Sequence, residues 1–268
     1  MTNTILLYDR TYKQPNKIYL PFTENNVLLK SLSDLQQLPI LNFWTMDNTV
    51  ILGMADQRLN NLSAGLNYLK QSNYKYFVRN SGGLAVVNDS GVLNVSLFLP
   101  RNDELSINSA YQRMVDLIKN TLPKLHIDVK EIPDSYCPGD YDLSVNGKKF
   151  AGISQRRVTD GIVIMAYISI NGNQKQRSSL IQSFYEQSEA DSSNFDYPNI
   201  NPQSMANLDE LLEQPLSIDD FKKNMLDSLA NTYKFDYEAV KLYTQTTKYQ
   251  EKITKALLDL EQRNENII

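Results

Sequence analysis

Short apolar runs separated by polar turns dominate the first two thirds of the chain. The runs YKYFV (74–78) and NVSLFLP (94–100) are rich in aromatic and β-branched residues, which predicts strands. Between and after them, apolar residues recur every three or four positions, as in residues 59–69, and this spacing predicts helices packed on a sheet. From residue 216 to 265 the helical spacing persists, so we predict helices to the end of the chain.

Strands mixed with helices predict an α+β fold: a mixed β-sheet flanked by helices, with a C-terminal helical appendage. Asn146-Gly147 and Asp160-Gly161 predict tight hairpin turns within the sheet. We predict three parts, namely a lead and helix over residues 1–34, a main domain over 35–225 and the appendage over 226–268.

Composition narrows the class of protein. A net charge of −4 over 268 residues argues against nucleic acid or an anionic membrane bound through charge. We find no apolar run near the roughly 20 residues that span a bilayer and no signal peptide at the N-terminus. A single cysteine fits a reducing cytoplasm, and nothing in the sequence requires more than a monomer. The single histidine, His126, excludes the usual multi-histidine zinc sites, so we expect no metal and a structural His126.

Cys137 lies in SYCPGDYD, a turn sequence in which a core residue is rarely placed. Lys148 and Lys149 follow across the predicted hairpin and alternate along a strand, so one of them points inward. A cation near a cysteine favours the reactive thiolate. Ala151 and Gly152 leave room beside Lys149, which makes Cys137 and Lys149 the candidate catalytic pair. A small buried cysteine beside two surface lysines is the alternative.

Gly82 and Gly83 are adjacent at the end of the YKYFV strand, in a chain with only ten glycines. Glycine has no Cβ, so a double glycine indicates a close approach of the backbone to another group. That group is either another strand or a ligand.

Two motifs together, RNSGGLAV (79–86) and NGKKFAGIS (146–154), resemble the catalytic domain shared by biotin and lipoate protein ligases and octanoyltransferases. The segment ILNFWTMDNTVILG (40–53) is similar to the early strand pair of that family. The resemblance covers residues 35–225 and identifies them as a catalytic domain of that fold. It implies that Gly82 and Gly83 line an acyl tunnel with Arg79 and Ser81 at its mouth. It also implies that Lys149, near Gly152, contacts the acyl carbonyl.

ATP-dependent members carry a second arginine and a His-Asp pair where this chain has Asn80 and Asn88, so we expect no ATP and no cofactor. The chain most resembles the branch with a catalytic cysteine ahead of the lysine, an amidotransferase that moves octanoyl (or lipoyl) groups between proteins. The resemblance then implies the glycine-cleavage H protein as donor. Its acceptors are lipoyl domains of 2-oxoacid dehydrogenase E2 subunits, reached through a thioester on Cys137.

Three alternatives remain open. The chain is a carrier-protein-dependent octanoyltransferase, an ATP-dependent lipoate ligase, or a non-catalytic protein that binds lipoyl domains. Lys148, Arg156 and Arg157 form a candidate docking patch for acidic lipoyl domains, with ordinary solvated surface as the competing interpretation.

Overall fold

The computed structural model describes residues 3–12, 18–101, 105–265 and 267. The predicted lead over residues 1–34 therefore lies partly outside the described residues. The described residues form eleven strands and eight α-helices. The strands are β1 (Asn3–Tyr12), β2 (Ile40–Met46), β3 (Thr49–Leu52), β4 (Lys75–Val78), β5 (Val86–Asn88), β6 (Val92–Pro100), β7 (Asp128–Val129), β8 (Asp142–Val145), β9 (Lys148–Arg157), β10 (Gly161–Ser169) and β11 (Tyr233–Asp236). The helices are α1 (Leu20–Leu29), α2 (Leu62–Gln71), α3 (Ile107–Thr121), α4 (Gln174–Gln187), α5 (Leu208–Leu211), α6 (Ile218–Leu229), α7 (Ala239–Thr244) and α8 (Thr247–Glu265).

The main sheet has eight strands in the order β11-β1-β2-β6-β10-β9-β8-β7. β1 is parallel to both of its neighbours, and the remaining pairs are antiparallel, so the predicted mixed sheet is confirmed. The hairpin through Asn146-Gly147 joins β8 to β9, and both residues have positive φ (51° and 76°) as this turn requires. The hairpin through Asp160-Gly161 joins β9 to β10.

A second sheet has three strands in the order β4-β3-β5. The short turn after β2 leads from the main sheet to β3 of the second sheet, and the short turn after β5 leads back to β6 of the main sheet. Neither turn closes a hairpin, because β2 pairs with β6 and β3 pairs with β5. β2 and β3 are buried along their whole length, so their apolar sequence does not specify which neighbour each one takes. The two crossings leave a gap between the sheets, and this gap holds the cavity described below.

Helices cover both faces of the main sheet. On one face, α3 and α6 pack their apolar sides on the strands through residues such as Met114, Ile118 and Phe221. On the other face, α1, α7 and α8 form a second apolar cluster with β1. The sheet is therefore buried on both sides, and the site lies at one margin of this core.

The C-terminal region contains the predicted helices and also the strand β11, which pairs in parallel with β1. The predicted helices are α6, α7 and α8. α4 was not predicted, because its sequence is largely polar, and its buried face includes Gln174, Arg177 and Ser178 as well as Leu180, Ile181, Phe184 and Tyr185. The proposed domain boundaries stay a prediction. None of the described helices is long and apolar enough to cross a bilayer.

Candidate active site

A cavity of about 360 Å³ lies between the two sheets and contains all seven of the site residues that the sequence predicted. Its volume falls in the range of small-ligand pockets, about 300–1,000 Å³. The predicted residues that line it are Arg79, Ser81, Gly82, Gly83, Cys137, Lys149 and Gly152. These residues come from three separate segments, 79–83, 137 and 149–152, and meet around one space.

Cys137 is the centre of the polar part of this cavity. Its backbone is left-handed, with φ of 47°, a conformation that costs a non-glycine residue on the order of 1–2 kcal/mol. The Leu84 N–H donates to Cys137 Sγ at 3.3 Å, and an Arg79 guanidinium nitrogen lies 4.0 Å from the sulfur. The thiol is partly exposed, so a substrate can reach it. Two donors facing an accessible sulfur suit a nucleophile that reacts as a thiolate.

Lys149 points inward and is 2% exposed, whereas Lys148 is exposed, as the alternation predicted. Its ammonium donates to the backbone carbonyls of Tyr136 (3.1 Å) and Cys137 (2.9 Å) and to Ser135 Oγ (3.1 Å). The sequence predicted an amine close to the thiol, but the structure places the amine on the backbone of the Cys137 turn. Lys149 therefore holds the left-handed turn, and Arg79 is the cation that faces the sulfur.

Asp142 completes the charge balance around Lys149. Its carboxylate lies 3.0 Å from Lys149 Nζ, and both side chains are buried. Asp142 also accepts from the backbone N–H groups of Ile132 and Gly139, each at 3.2 Å. Burial raises the pKa of Asp142 above its usual range, and the Lys149 charge opposes that shift.

Sequence reasoning missed Asp142. The Asn146-Gly147 hairpin pairs Ser144 with Lys149, but a register shift between Leu143 and Ser144 then places Asp142 opposite Gly152, which the turn sequence alone does not predict. Gly152 lies against the ion pair: a Cβ there would lie 3.4 Å from both Asp142 Oδ1 and Lys149 Cε.

Gly83 adopts φ of +84°, and a Cβ there would lie 2.4 Å from an Arg79 guanidinium nitrogen and 3.3 Å from Cys137 Sγ. A Cβ at Gly82 would meet nothing within 4 Å. The backbone of Gly53 also packs against the Gly83 carbonyl, because a Cβ at Gly53 would lie 1.7 Å from that oxygen. The close approach indicated by the double glycine therefore involves protein groups at Gly83, while Gly82 faces the open cavity.

Arg79 is nearly buried, and its guanidinium is held by the loop that it precedes. It donates twice to the Gly82 carbonyl (3.0 and 2.8 Å) and once to the Leu84 carbonyl (3.1 Å). Ser81, next to Gly82, lines the cavity. The glycine loop and Arg79 thus form one unit beside the thiol.

Asp56 and Tyr185, which the sequence analysis did not identify, contact the backbone next to this unit at Gly53 and Ala85. Asp56 accepts from the Gly53 N–H (2.8 Å) and the Tyr185 hydroxyl (2.9 Å), and Tyr185 in turn accepts from the Ala85 N–H (3.2 Å). Burial raises the pKa of Asp56 to about 6. An isolated buried carboxyl gives no periodic sequence signal, so only the fold reveals it.

One wall of the cavity is apolar. It includes Phe22 of α1, Trp44 of β2, Ile51 of β3 and Val86 of β5. Phe22 and Trp44 meet edge to face, with ring centroids 6.3 Å apart. A polar cluster joined to an apolar pocket is the arrangement that a carboxyl derivative with an alkyl chain requires.

The other singled-out residues lie away from the thiol. His126 is 97% exposed and lies 3.7 Å from Asp128, just before β7 rather than in a strand. Arg156 lines the cavity and donates to Asn26 and Asn80, and Arg157 donates to the carbonyls of Leu105 and Ser106. Among the described residues, no group of three or more His, Cys, Asp or Glu side chains is placed to hold a metal.

The chain is similar to known proteins in sequence. A sequence model described as the lipoyl protein ligase A/B catalytic domain matches residues 17–230. The chain is 42% identical over 219 residues to an octanoyl-[GcvH]:protein N-octanoyltransferase of Oceanobacillus iheyensis, covering 81% of this chain and 78% of that protein. It is 40% identical over 212 residues to a lipoyl-[GcvH]:protein N-lipoyltransferase of Listeria monocytogenes, covering 78% and 76%.

Solved structures share the fold. A lipoate-protein ligase A bound with ATP matches with a TM-score of 0.68 at 20% identity, over 95% of this chain and 94% of that one. A bipartite lipoate protein ligase of Thermoplasma acidophilum, solved with its E2 lipoyl domain, matches with a TM-score of 0.62 at 19% identity, over 94% and 97%. The predicted fold and family are therefore confirmed, and the chain belongs to the lipoyl protein ligase A/B catalytic domain family.

Proposed function

We propose that this protein is an acyltransferase that moves an octanoyl or lipoyl group from the lysine of glycine-cleavage H protein to the lysine of E2 lipoyl domains. The observation that carries the proposal is Cys137 itself: a partly exposed thiol on a left-handed turn, facing two donors, inside an acyl-sized cavity. The names of the relatives support the H protein as donor, because both transferases compared above are named for transfer from GcvH.

In the first half-reaction, Cys137 Sγ attacks the carbonyl carbon of the acyl-lysine amide. The C–S bond forms, the C–N bond breaks and the thiol proton passes to the leaving lysine amine. Arg79 and the Leu84 N–H face the sulfur, and Lys149 holds the Cys137 turn through its carbonyl.

In the second half-reaction, the acceptor lysine attacks the thioester. The new C–N bond forms, the C–S bond breaks and the amine proton returns to the thiol. Donor and product are both lysine amides, so the exchange is close to thermoneutral and does not require ATP. Two transfers through one cysteine predict ping-pong kinetics.

The acyl chain is proposed to lie in the apolar pocket formed by Phe22, Trp44, Ile51 and Val86. Burying each methylene of the chain stabilises the complex by about 0.8 kcal/mol. A nucleophilic thiol requires a reducing compartment, so we place the reaction in the cytoplasm.

Intact mass spectrometry tests the proposal with octanoylated H protein and no ATP. We expect the wild-type enzyme to gain one octanoyl group that hydroxylamine removes, and the Cys137→Ser variant to gain none. A fresh apo-lipoyl domain should then discharge the labelled enzyme. Cys137 is the only cysteine, so a label on a thiol has one possible position.

Other outcomes separate the alternatives. If Cys137 is acylated by octanoyl-carrier protein but not by octanoylated H protein, the acyl donor is the carrier protein and the proposed donor is wrong. Acylation of a lipoyl domain only with ATP and free octanoate would point to a ligase. Binding of lipoyl domains without labelling in any of these assays would contradict an enzymatic role.

A further inference from the structure

Helix α8 lies beyond residues 17–230, which the family model matches, yet it reaches the active site from behind. Its first half packs on α1 and β1 through Tyr249 and Ile253. Its last turns pack against the second sheet through Leu260 and Asn264, which are 3% and 5% exposed. The C-terminal helix is therefore an integral part of the site region rather than a separate appendage.

Asn264 pairs with the outer edge of strand β4. The Val78 N–H donates to Asn264 Oδ1 at 2.7 Å, and Asn264 Nδ2 donates to the Val78 carbonyl at 3.1 Å. The same Nδ2 also donates to the Leu260 carbonyl of its own helix at 2.9 Å, which fixes the side-chain rotamer. The amide thus acts as a one-residue continuation of the sheet.

β4 needs this partner because it is an edge strand. The three-stranded sheet has the order β4-β3-β5, and β4 runs parallel to β3. In a parallel pair, alternate residues direct their backbone groups to one neighbour: the Arg79 N–H donates inward to the Leu52 carbonyl at 2.9 Å, so Val78 faces outward. A buried outward-facing N–H and carbonyl without a partner would be costly.

Val78 is connected to the Cys137 thiol through the next residue, Arg79. Arg79 follows directly, its guanidinium holds the carbonyls of Gly82 and Leu84, and its terminal nitrogen faces Cys137 Sγ. The Leu84 N–H donates to the same sulfur. Both groups that face the sulfur therefore belong to the loop that Asn264 anchors at its first residue.

Leu260 supports the acyl pocket from the same helix. It packs in one cluster with Phe22, Trp44, Ile51 and Phe77, three of which line the cavity. The helix therefore contacts both the polar and the apolar parts of the site from outside.

We propose that Asn264 is a positioning residue: by pairing with Val78 it fixes Arg79 and the Leu84 N–H against Cys137. The consequence for acyl transfer rests on the proposed function, whereas the consequence for the thiol does not. Asn264 acts through Arg79 and touches no reacting atom.

The test compares full-length wild type with Asn264→Ala in two assays: alkylation of Cys137 by iodoacetamide, and formation of the octanoyl-enzyme from octanoylated H protein. Loss of a hydrogen-bonding pair at this position should slow both reactions at least about fivefold, with little change in KM for H protein. Asn264→Asp keeps the acceptor for the Val78 N–H and loses the donor to the carbonyl, so its rates should be intermediate.

Two control variants on α8 separate positioning from stability. Ile253→Ala loosens the other half of the helix and should lower the unfolding temperature while both rates stay within about twofold of wild type. Gln262→Ala changes the exposed face of the same last turns and should change neither property. Rates of Asn264→Ala equal to wild type, or an equal fall in Ile253→Ala, would overturn the proposal.

The two assays also distinguish the two hypotheses. If alkylation slows in Asn264→Ala but even the wild type forms no octanoyl-enzyme, the positioning role stands and the proposed function is wrong. If the wild type is acylated and Asn264→Ala matches it in both assays, only the positioning role is wrong.

Discussion

Lys149 and Cys137 are connected through the backbone of one turn, not by direct contact between amine and thiol. The Lys149 ammonium holds the carbonyls of Tyr136 and Cys137, and its charge is balanced by Asp142. A guanidinium nitrogen of Arg79 lies 4.0 Å from the sulfur. Three charged residues, Lys149, Asp142 and Arg79, therefore surround the Cys137 turn.

We predict that Lys149→Met lowers acyl-enzyme formation by about 100-fold, because the Cys137 turn loses the cation that holds it. It should also destabilise the fold by about 3–5 kcal/mol, since Asp142 is left buried without its partner. Single-turnover mass spectrometry and urea unfolding measure the two effects. Lys148→Met, one position away and exposed, is the matched control and should change neither.

A double variant separates stability from chemistry. Lys149→Met with Asp142→Asn removes both buried charges and keeps an oxygen that accepts from the Ile132 and Gly139 N–H groups, so it should recover most of the lost stability but none of the lost rate. Recovery of the rate would show that Lys149 serves only to pair with Asp142.

The two adjacent glycines should respond differently to alanine. Gly83→Ala forces a Cβ to 2.4 Å from Arg79 at a φ of +84°, so Arg79 must move away from Cys137. We expect the acyl-enzyme to form on the order of tenfold more slowly, with about 1–2 kcal/mol lower stability from the left-handed backbone. Gly82→Ala meets no atom within 4 Å and should keep wild-type stability, as thermal unfolding can check.

Among the secondary-structure elements, the turn residues specified the hairpins but did not specify which sheet each strand joins. Asn146-Gly147 and Asp160-Gly161 closed hairpins as predicted, because turn formation depends on local residue preferences. Positive φ occurs at Asn146 and Gly147 but not at Asp160 or Gly161. The turns after β2 and β5 joined strands of different sheets, because the partners of fully buried strands are chosen by packing. The site owes its cavity to these two crossings.

Three elements meet at the buried carboxyl of Glu24. The hydroxyls of Tyr8 on β1 and Tyr249 on α8 donate to Oε1 of this α1 residue at 3.4 and 3.3 Å, and Arg10 lies 4.0 Å away. Burial raises the pKa of Glu24 from 4.5 to about 7. The carboxyl therefore binds its proton more tightly in the folded state than in the unfolded state.

Between pH 4.5 and about 7 the folded state binds more protons at Glu24 than the unfolded state does, so the free energy of unfolding should fall as pH rises through this range. Above about pH 7 Glu24 causes no further change. Glu24→Gln should flatten this part of the curve and be more stable than wild type at pH 8, by an amount on the order of 1–3 kcal/mol. Urea unfolding at several pH values between 4 and 8 measures it. In Glu24→Gln, a slope between pH 5 and 7 equal to that of wild type would contradict this assignment. Asp34→Asn removes a half-buried carboxylate whose pKa is lowered to about 2 by hydrogen bonds from Lys248 and Lys252, so it should lower stability without changing the slope in this pH range.

In the whole molecule, both ends of the chain contribute to one structure. β1 near the N-terminus pairs with β11 near the C-terminus, and α8 reaches both α1 and β4. In the region beyond residue 226, which was predicted to be a helical appendage, the strand β11 extends the main sheet and α8 pairs with Val78 at the end of β4. The strand β11 escaped prediction because four residues between helices carry too short a pattern to be identified.

The sequence by itself determined the local features: the strand and helix types, the two hairpins, the inward direction of Lys149, and the motifs that placed Gly82, Gly83, Cys137 and Lys149 in one family. These depend on turn chemistry, alternation and residue identity, which act over a few positions. Only the tertiary structure decided which sheet each strand joins, that Arg79 rather than Lys149 faces the thiol, and that Asp142, Asp56 and Asn264 support the site. Contacts between residues far apart in sequence, such as Val78 and Asn264 at 186 positions, depend on the packing of the whole chain and produce no periodic pattern in the sequence.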